Sequence, residues 1–485
     1  MKLKNILEQV PVISREGSEE IEIVSVAFDS RKVEEGSLFV AEKGTQVDGH
    51  EFIDKAIAQG AKAVICEELP VQKHEGVTYL QVENSRRELA HIAANFYGNP
   101  ARKLIMVGVT GTNGKSTSVT LLHELFQSLG TTSGLVSTIC NKIGNEVMPS
   151  THTTPDPLQL HKLFADMLEA GCEYCFMEVS SHSLVQHRVT GIPFKLAMFS
   201  NLTHDHLDYH GSFREYLRAK KLLFDHLGKN AIALVNLDDR NGKVMVQNTV
   251  ATVRTFARKR MADYHTRLIE NTFEGLLLEI GGQEVWFRMR GSFNADNLLM
   301  VFAAAVELGE VPQEVLQKLS LIGGVAGRFE VFQAENRPLT AIVDYAHTPD
   351  ALKNVLSTIL DINQTRGKVI TIVGCGGNRD REKRPKMARI AAEMSDRVIL
   401  TSDNPRNEDP MSILQEMQTG IPAERRNRVL TIEDRKEAIR TGIALASDFD
   451  IVLVAGKGHE PYQEIQGVRH PFDDREVVKD CLREP

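Results

Sequence analysis

The sequence is poor in cysteine, and the few cysteines are not arranged as a scaffold or a metal site. Six cysteines in 485 residues are too few for a disulfide framework. Cys172 and Cys175 form one C-x-x-C inside an apolar, strand-like run, and no second pair completes a zinc tetrahedron. We therefore expect these thiols to be buried and inert.

Long apolar runs are also missing. None approaches the about 18–20 residues that a membrane-spanning helix needs. The N-terminal segment lacks the apolar core of a signal peptide and carries Glu8 early. The sequence thus predicts a cytoplasmic protein with no membrane among its partners.

An excess of basic residues is missing as well, since the formal net charge is −8. A general nucleic-acid binder has a basic surface, so nucleic acid is not an expected partner. Hydrophobic residues make up 42% and charged residues 25%, which are ordinary globular values and exclude whole-chain disorder. Local basic loops can still hold small anionic substrates.

Short apolar runs alternate with amphipathic stretches along the chain. The strand-like runs cover residues 103–109, 172–179, 195–201, 231–237, 368–374, 396–402 and 450–456. This alternation predicts an α/β fold with mainly parallel sheets.

Chain length predicts about three domains. We place their bounds at residues 1–98, 99–328 and 329–485. The second boundary falls in a glycine-rich segment, where Gly323, Gly324 and Gly327 suggest a flexible link between domains.

The strongest local motif joins a buried-type strand to a helical pattern through Gly111–Thr117, with the sequence GTNGKST. Glycines let the backbone N–H groups face an anion, and the following helix N-terminus adds its dipole. Lys115 can neutralise phosphate charge and Ser116 can bind Mg²⁺. The loop departs from the usual G-x-x-x-x-G-K-[ST] pattern, because Val109 stands where the first glycine belongs. A tight glycine turn before a helix is the alternative interpretation.

Acidic residues and histidines follow two later strands. Glu178 ends one strand, and the segment 201–211 after the next strand contains three histidines and two aspartates. Ligands of parallel sheets bind at the carboxyl ends of the strands, so these groups are expected beside the phosphate loop. Loop or helix-cap residues are the alternative. Lys220 and Lys221, taken alone, are typical of a solvated helix face.

With these segments in place, the sequence resembles the Mur ligase family, the ATP-dependent amide ligases of peptidoglycan precursor synthesis. The resemblance continues through GSFNADN (291–297), GRFE (327–330) and DYAHTPDAL (344–352), and it spans essentially the whole chain. It implies a UDP-binding α/β domain, a central P-loop ATPase domain with a mainly parallel sheet, and a C-terminal Rossmann-like domain for the incoming amino acid.

The resemblance implies ATP as co-substrate and Mg²⁺ as cofactor. The implied ATP contacts are Gly111, Thr112, Asn113, Gly114, Lys115, Ser116, Thr117, Asn294, Asn297, Arg328 and Asp344. The implied metal-binding residues are Ser116, Glu178, His206 and Lys220, the last carried as a carbamate. The catalytic residues would be Lys115, Glu178, His206 and Lys220.

Two further substrates follow from the resemblance, UDP-MurNAc-L-Ala-D-Glu and meso-2,6-diaminopimelate. The first would contact Ser30, Thr45, Gln46, Val47, His152, Thr153, Thr154, Ser180, Gln186 and Arg188. His152 stands where relatives often have asparagine. The second would contact Arg384, Asp403, Asn404, Pro405, Arg406, Gly456 and Glu460.

The DNPR segment (403–406) carries the selectivity argument. Diaminopimelate has a distal carboxylate that lysine lacks, and the Arg406 guanidinium can hold it with two charge-assisted bonds. Glu460 would hold the distal ammonium. Without the resemblance, DNPR is an ordinary Asx–Pro turn.

The expected reaction is ATP-dependent addition of diaminopimelate to the D-Glu of the nucleotide substrate through an acyl phosphate, by a chain taken as a monomer. Four alternatives stay open: a lysine-adding ligase, a folylpolyglutamate synthetase, a P-loop NTPase switch, and a non-catalytic UDP-sugar binder. NAD binding is excluded, because GCGGNRD (374–380) has Arg379 where the fingerprint needs glycine.

Overall fold

The computed structural model describes residues 1–44, 47–150, 152–363 and 367–483. Successive parts of the chain each form their own sheet. The first sheet has five strands in the order β1-β5-β4-β3-β2, and β1 alone runs antiparallel to its neighbour. The strands are β1 (Val12–Glu16), β2 (Val26–Ala27), β3 (Leu38–Val40), β4 (Ala63–Cys66) and β5 (Thr78–Val82). The helices are α1 (Leu3–Ile6), α2 (Ile53–Ala58), α3 (Ser85–Phe96) and the 3₁₀ turns Ser30–Lys32 and Gly49–Phe52.

The central sheet has eleven strands. They are β6 (Ile105–Thr110), β7 (Ser133–Val136), β8 (Cys140–Ile143), β9 (Glu146–Pro149), β10 (Tyr174–Glu178), β11 (Phe194–Phe199), β12 (Ile232–Asn236), β13 (Thr252–Ala257), β14 (Tyr264–Asn271), β15 (Leu276–Ile280) and β16 (Gln283–Phe287). Its order is β16-β15-β14-β13-β12-β11-β6-β10-β7-β8-β9. Within this order, the strands from β14 through β6 to β7 run parallel to their neighbours. Antiparallel strands extend the sheet at both edges.

Helices cover both faces of the central sheet, over two separate apolar cores. They are α4 (Lys115–Ser128), α5 (Pro157–Glu169), α6 (Ser181–Val185), α7 (Leu207–His210), α8 (Phe213–Asp225), α9 (Gly242–Met245), α10 (Asn294–Glu307), α11 (Pro312–Leu321) and the 3₁₀ turn Pro100–Arg102. The middle strands are apolar on both sides because both faces are covered, which is the reason their sequences are continuous hydrophobic runs.

The third sheet has six strands in the order β17-β18-β22-β19-β20-β21, and β17 is its antiparallel edge. Its strands, followed by a separate hairpin, are β17 (Glu330–Gln333), β18 (Thr340–Asp344), β19 (Val369–Val373), β20 (Arg397–Leu400), β21 (Val429–Thr431), β22 (Ile451–Ala455), β23 (Tyr462–Ile465) and β24 (Val468–Pro471). The helices are α12 (Pro349–Ile362), α13 (Lys383–Met394), α14 (Pro410–Gln418), α15 (Arg435–Ala444), α16 (Asp474–Arg483) and the 3₁₀ turn Ala423–Arg428.

The predicted α/β fold with mainly parallel sheets is confirmed. The apolar runs singled out in the sequence coincide with β6, β10, β11, β12, β19, β20 and β22. Cys172 and Cys175 are buried, unpaired thiols at and within β10, as expected. Within the described ranges, no helix combines the length and the apolarity needed to cross a membrane.

The glycine-rich link between the second and third sheets is only partly open. A Cβ placed on Gly323 or Gly324 would meet no neighbour within 4 Å. A Cβ on Gly327, whose φ is +65°, would collide with the backbone nitrogen of His459. Gly327 is therefore a close-packing position, and the freedom expected of a hinge is confined to the two glycines before it.

A buried ion pair holds the third domain together at the carboxyl ends of its strands. The guanidinium of Arg435, at the start of α15, donates two hydrogen bonds of 2.7 Å to the Asp474 carboxylate, at the start of α16. Neither side chain is exposed. Arg435 also donates to the carbonyl oxygens of Ala455 at 3.0 Å and Ser402 at 3.4 Å. The pair thus joins two helices to the ends of two strands.

Replacing Arg435 by methionine leaves the Asp474 carboxylate buried and unpaired. We expect the free energy of unfolding to fall by about 3–5 kcal/mol, measured by urea denaturation. Lys479→Met in α16 breaks an exposed pair with Glu476 and is the matched control, with an expected change below about 1 kcal/mol. Equal losses in the two variants would contradict this role for the buried pair.

Candidate active site

A cavity of about 870 Å³ lies between the central and third domains. Its walls are built at the carboxyl ends of parallel strands from both sheets, where open α/β sheets bind their ligands. The central domain contributes the loops after β6, β10 and β11, and the third domain contributes those after β18, β19, β20 and β22.

The phosphate-loop segment enters this cavity between β6 and α4. Gly114 has a φ of +88°, and a Cβ there would collide with the Oδ1 atom of Asn297, so only glycine fits. The next loop along the sheet holds this segment in place. The Asn113 N–H donates to Asn201 Oδ1 at 2.9 Å, and the Thr112 N–H donates to the Asn201 carbonyl at 2.8 Å. The N-terminus of α4 therefore points into the cavity, where it favours an anion.

Two lysines, the partly buried Lys115 and the buried Lys220, converge on one carbonyl of this loop. The Nζ atoms of Lys115 and Lys220 donate to the Gly111 oxygen at 2.9 Å and 2.7 Å. Burial lowers the pKa of Lys115. Burial, with Lys115 adding to it, lowers the pKa of Lys220 well below its usual value. Lys221 points elsewhere and pairs with Asp225, so the structure separates two lysines that are adjacent in the sequence.

Glu178 and His206 lie on the same side of the cavity. The Glu178 carboxylate accepts the Thr138 N–H at 2.7 Å. The His206 ring lies edge-on to His182, with 4.9 Å between ring centroids. Burial lowers the pKa of His206 to about 3, so its imidazole is neutral and able to bind a metal.

The predicted Mg²⁺ fits this region only if ligands from outside the protein complete its coordination. No group of three or more His, Cys, Asp or Glu residues among those described is arranged to hold a metal ion alone. Mg²⁺ characteristically keeps water and phosphate oxygens and takes one or two protein oxygens. The Ser116 hydroxyl and the Glu178 carboxylate, which both line the cavity, are groups of that kind.

The third domain reaches across the cavity to the phosphate loop. Arg328, at the junction with the third domain, donates to Ser116 Oγ at 3.1 Å, and its guanidinium stacks 4.3 Å from the ring centroid of Tyr345 in the third domain. Asn113 donates to the Asp350 carboxylate at 3.1 Å. The Asp344 carboxylate accepts the Phe329 N–H at 2.7 Å, and burial raises its pKa to about 6.

Most of the expected ATP-contacting residues line the cavity. These are Thr112, Asn113, Gly114, Lys115, Ser116, Thr117, Asn297, Arg328 and Asp344. Gly111 and Asn294 lie behind the wall. Asn294 accepts the Asn297 side-chain N–H at 2.8 Å, so it orients Asn297 and does not itself face the cavity. A direct contact of Asn294 with ATP stays a prediction.

The residues expected to contact UDP-MurNAc-L-Ala-D-Glu divide between two places. His152, Thr153, Thr154, Ser180 and Arg188 line the cavity. Gln186 stands behind it and accepts from the Arg188 guanidinium at 2.6 Å. Ser30 and Val47 belong to the first domain and are not part of this wall. Thr45 and Gln46 lie outside the described residues.

The residues expected to contact diaminopimelate also divide. Asp403, Asn404, Arg406, Gly456 and Glu460 line the cavity, and Pro405 does not. Arg384 has no exposed side-chain surface, because its guanidinium is paired with Glu408 at 2.9 Å and Glu416 at 2.8 Å. Arg384 does not line the cavity in this structure, and its direct contact with diaminopimelate stays a prediction. It donates to the Gly376 carbonyl at 3.3 Å and so supports the wall from behind.

Several cavity residues were not singled out from the sequence. They are Tyr345, His347, Asp350, Cys375 and Lys383. His347 and Tyr345 stand inside the quoted DYAHTPDAL segment, whose position after a strand was a usable signal. Cys375 follows β19, and burial raises the pKa of its thiol to about 12.

Fold and site together define an α/β enzyme with an anion-binding loop and a cleft between two sheets. Family models match three stretches: Mur ligase family, catalytic domain, at residues 22–97; Mur ligase middle domain, at 109–305; and Mur ligase, glutamate ligase domain, at 327–458. The chain belongs to the Mur ligase family, and the resemblance noted in the sequence is confirmed.

Several relatives that share one name with each other are similar to this chain over nearly its whole length. The UDP-N-acetylmuramoyl-L-alanyl-D-glutamate–2,6-diaminopimelate ligase of Cytophaga hutchinsonii is 53% identical, with 99% of each chain covered. That of Bacteroides fragilis is 52% identical, with the same coverage. A solved structure of a ligase of this name has a TM-score of 0.70 at 33% identity, covering 99% of this chain and 98% of that one. The MurF ligase of Thermotoga maritima in complex with ADP, at 21% identity and a TM-score of 0.62, shows the fold alone, with 94% and 96% covered.

The raised pKa of Asp344 predicts a pH-dependent cost to stability. Its carboxyl has a pKa of about 6 against an ordinary 3.8, so the folded chain binds this proton more tightly. Stability from this group is highest below the ordinary pKa and is lost as pH rises towards about 6. We expect Asp344→Asn to be more stable than the unsubstituted chain by up to about 3 kcal/mol near pH 7.5, with the gain shrinking near pH 4.5. Urea denaturation at the two pH values checks this, and a gain independent of pH would contradict it.

Proposed function

We propose that the chain is an ATP-dependent amide ligase that joins meso-2,6-diaminopimelate to the D-Glu carboxylate of UDP-MurNAc-L-Ala-D-Glu. One observation carries the proposal: the phosphate loop, Gly111–Thr117, and the DNPR segment, 403–406, open into a single cavity. Phosphoryl transfer and amine capture can therefore occur on one substrate carboxylate. The names of the full-length relatives support the choice of substrates. We expect the enzyme to act in the cytoplasm as a monomer.

The first step activates the D-Glu carboxylate. One of its oxygens attacks the γ-phosphorus of ATP, the bond to the bridging oxygen breaks, and ADP leaves. Lys115, the α4 N-terminus and Arg328 supply positive charge around the transferred group, which is the main contribution a protein makes to phosphoryl transfer. The contact from Arg328 to Ser116 makes this arrangement depend on the third domain.

Bound magnesium would neutralise phosphate charge as it develops. Ser116, Glu178 and His206 are the residues that would hold it, with Lys220 contributing as a carbamate. The low pKa of Lys220 supports that modification, because only a neutral amine adds to CO₂. The Nζ–C bond forms, one N–H proton passes to water, and the neutral amine becomes an anionic carbamate whose oxygens could bind the metal.

The second step forms the amide. The amine of diaminopimelate attacks the acyl carbon, the resulting tetrahedral intermediate loses inorganic phosphate, and the surplus amine proton passes to solvent. Arg406 presents its guanidinium to the cavity while it donates to the Gly377 carbonyl at 2.9 Å. A distal carboxylate would complete the pairing of that guanidinium, and lysine has no group to do so.

A P-loop NTPase switch is the alternative from another class, since it would use the same loop without an amine. The arrangement of residues around the cavity favours the ligase. Residues of the predicted amino-acid pocket share the cavity with the phosphate loop, an arrangement for which a switch has no use.

The amine requirement decides between these functions. We expect phosphate release from Mg·ATP and UDP-MurNAc-L-Ala-D-Glu only when meso-diaminopimelate is added, with L-lysine about 100-fold less effective because it has no distal carboxylate to accept hydrogen bonds from Arg406. Lys115→Ala is the inactive reference. Equal turnover with lysine would refute the DNPR argument, and amine-independent release would establish the NTPase alternative.

The adjacent lysines provide a matched pair for the carbamate. We expect Lys220→Ala to lower kcat by about 100- to 1,000-fold, and Lys221→Ala to stay near the unsubstituted rate. The reason is that Lys220 lines the cavity and donates to the Gly111 carbonyl, whereas Lys221 pairs with Asp225. CO₂-depleted buffer should lower the activity of the unsubstituted enzyme. Equal losses in the two variants would contradict the assignment.

A further inference from the structure

Lys457 is a fully buried cation beside the amino-acid pocket, and the reaction described above does not use it. It follows β22 in the turn Gly456–Glu460 and has no exposed surface. Its Nζ donates to Asn404 Oδ1 at 3.0 Å and to Glu460 Oε2 at 3.1 Å. Both partners line the cavity. A buried charge is costly unless it is paired, so these two contacts define where Lys457 and its partners must stand.

Lys457 decides which way the Asn404 amide points. A lysine ammonium is a donor only, so the atom that it contacts must be the amide oxygen. The Glu464 backbone N–H donates to the same Oδ1 at 2.9 Å and reinforces that orientation. The Asn404 nitrogen is then turned towards Glu460, where it donates to Oε2 at 2.8 Å. Its second hydrogen remains a donor that suits a carboxylate.

The two carboxylate oxygens of Glu460 have different hydrogen-bond partners. Oε2 accepts from both Lys457 and Asn404. Oε1 lies 3.4 Å from the Tyr345 hydroxyl and keeps acceptor capacity on the side of the cavity. The pocket therefore offers a carboxylate oxygen for an ammonium next to an amide N–H for a carboxylate. Those are the two charged groups on one α-carbon of an amino acid.

Lys457 also affects the electrostatics of the amino-acid pocket. Asp403 and Glu460 place two carboxylates at this end of the cavity, which alone would repel a substrate carrying carboxylates of its own. A buried ammonium against Glu460 offsets part of that charge without occupying the space of the ligand. The Tyr462 ring lies 5.5 Å from Nζ and closes the opposite side.

We propose that Lys457 is a positioning residue for amino-acid recognition: it orients Asn404 and Glu460 so that together they bind an ammonium–carboxylate pair of the incoming amino acid. This inference rests on the proposed ligase function and deepens it. Lys457 does not touch the amino acid itself but acts through two residues that do.

The test is a set of steady-state measurements on the full-length chain with Lys457→Met. We expect the KM for meso-diaminopimelate to rise about 10- to 100-fold, with kcat and the KM values for ATP and UDP-MurNAc-L-Ala-D-Glu nearly unchanged. Lys479→Met is the control, because its lysine makes an i,i+3 pair of the same kind on the surface. An unchanged KM for diaminopimelate, or equal changes in all three KM values, would overturn the proposal.

A double variant separates positioning from support of the fold. If Lys457 acts through Glu460, Lys457→Met in a Glu460→Gln background should raise the KM for diaminopimelate little further, whereas additive losses would overturn the coupling. Should Lys457→Met fail to fold, Asn404→Asp keeps the contact to Lys457 and replaces the amide N–H by an oxygen. We expect the same selective rise in KM, and a normal KM would refute the donor role. Absence of diaminopimelate-dependent turnover in the unsubstituted chain would instead refute the ligase function itself.

Discussion

The carbonyl oxygen of Gly111 accepts hydrogen bonds from Lys115 and Lys220, and this convergence of two lysine side chains on one backbone oxygen organises the site of the central domain. Lys115 arrives from the helix that follows the loop and Lys220 from a different helix, 109 residues away from Gly111 in the chain. Buried charges are costly unless opposite charge or hydrogen bonds compensate them. The site is therefore suited to anions. The neighbouring carboxylates of Glu178 and Asp205 provide opposite charge, and the loop backbone can bind phosphate.

The third domain completes this electrostatic arrangement from across the cleft. Arg328 meets Ser116, Asp350 meets Asn113, and Asp380 lies 3.3 Å from His204. These polar contacts join two sheets that share no strand. Movement of one domain relative to the other can therefore exchange them for contacts with ligands at a modest cost in free energy. Gly323 and Gly324 have the space to permit such movement, while the packed Gly327 fixes where the third domain begins.

The strands and the phosphate loop could be located from the sequence because both are encoded locally. Continuous apolar runs identified the strands at the middle of each sheet, and Gly114-Lys115-Ser116 at a strand-to-helix junction is typical of an anion-binding loop. The choice between Lys220 and Lys221 needed the fold, because both lysines are buried in α8 and only their contacts, with Gly111 and Asp225, separate them.

Other features depended on contacts between distant parts of the chain. Arg384 is predicted at the ligand, and its pairing with Glu408 and Glu416, which lie 24 and 32 residues further on, was not visible in the sequence. Lys457 lies between the predicted contact residues Gly456 and Glu460, yet its contact with Asn404, 53 residues earlier, is formed only in the folded chain. Local sequence patterns do not reveal which of several charged residues will pair after folding.

The cleft reverses the usual order of nucleophile reactivity. A cysteine thiol reacts with electrophiles as the thiolate, and the pKa of Cys375 is held at about 12, so at neutral pH that sulfur is almost entirely protonated. Lys220, by contrast, sits where burial favours the free amine. A thiol-directed acrylamide placed in this cavity would therefore find a protonated Cys375, whereas an acylating or aldehyde group would compete with CO₂ for the free amine of Lys220.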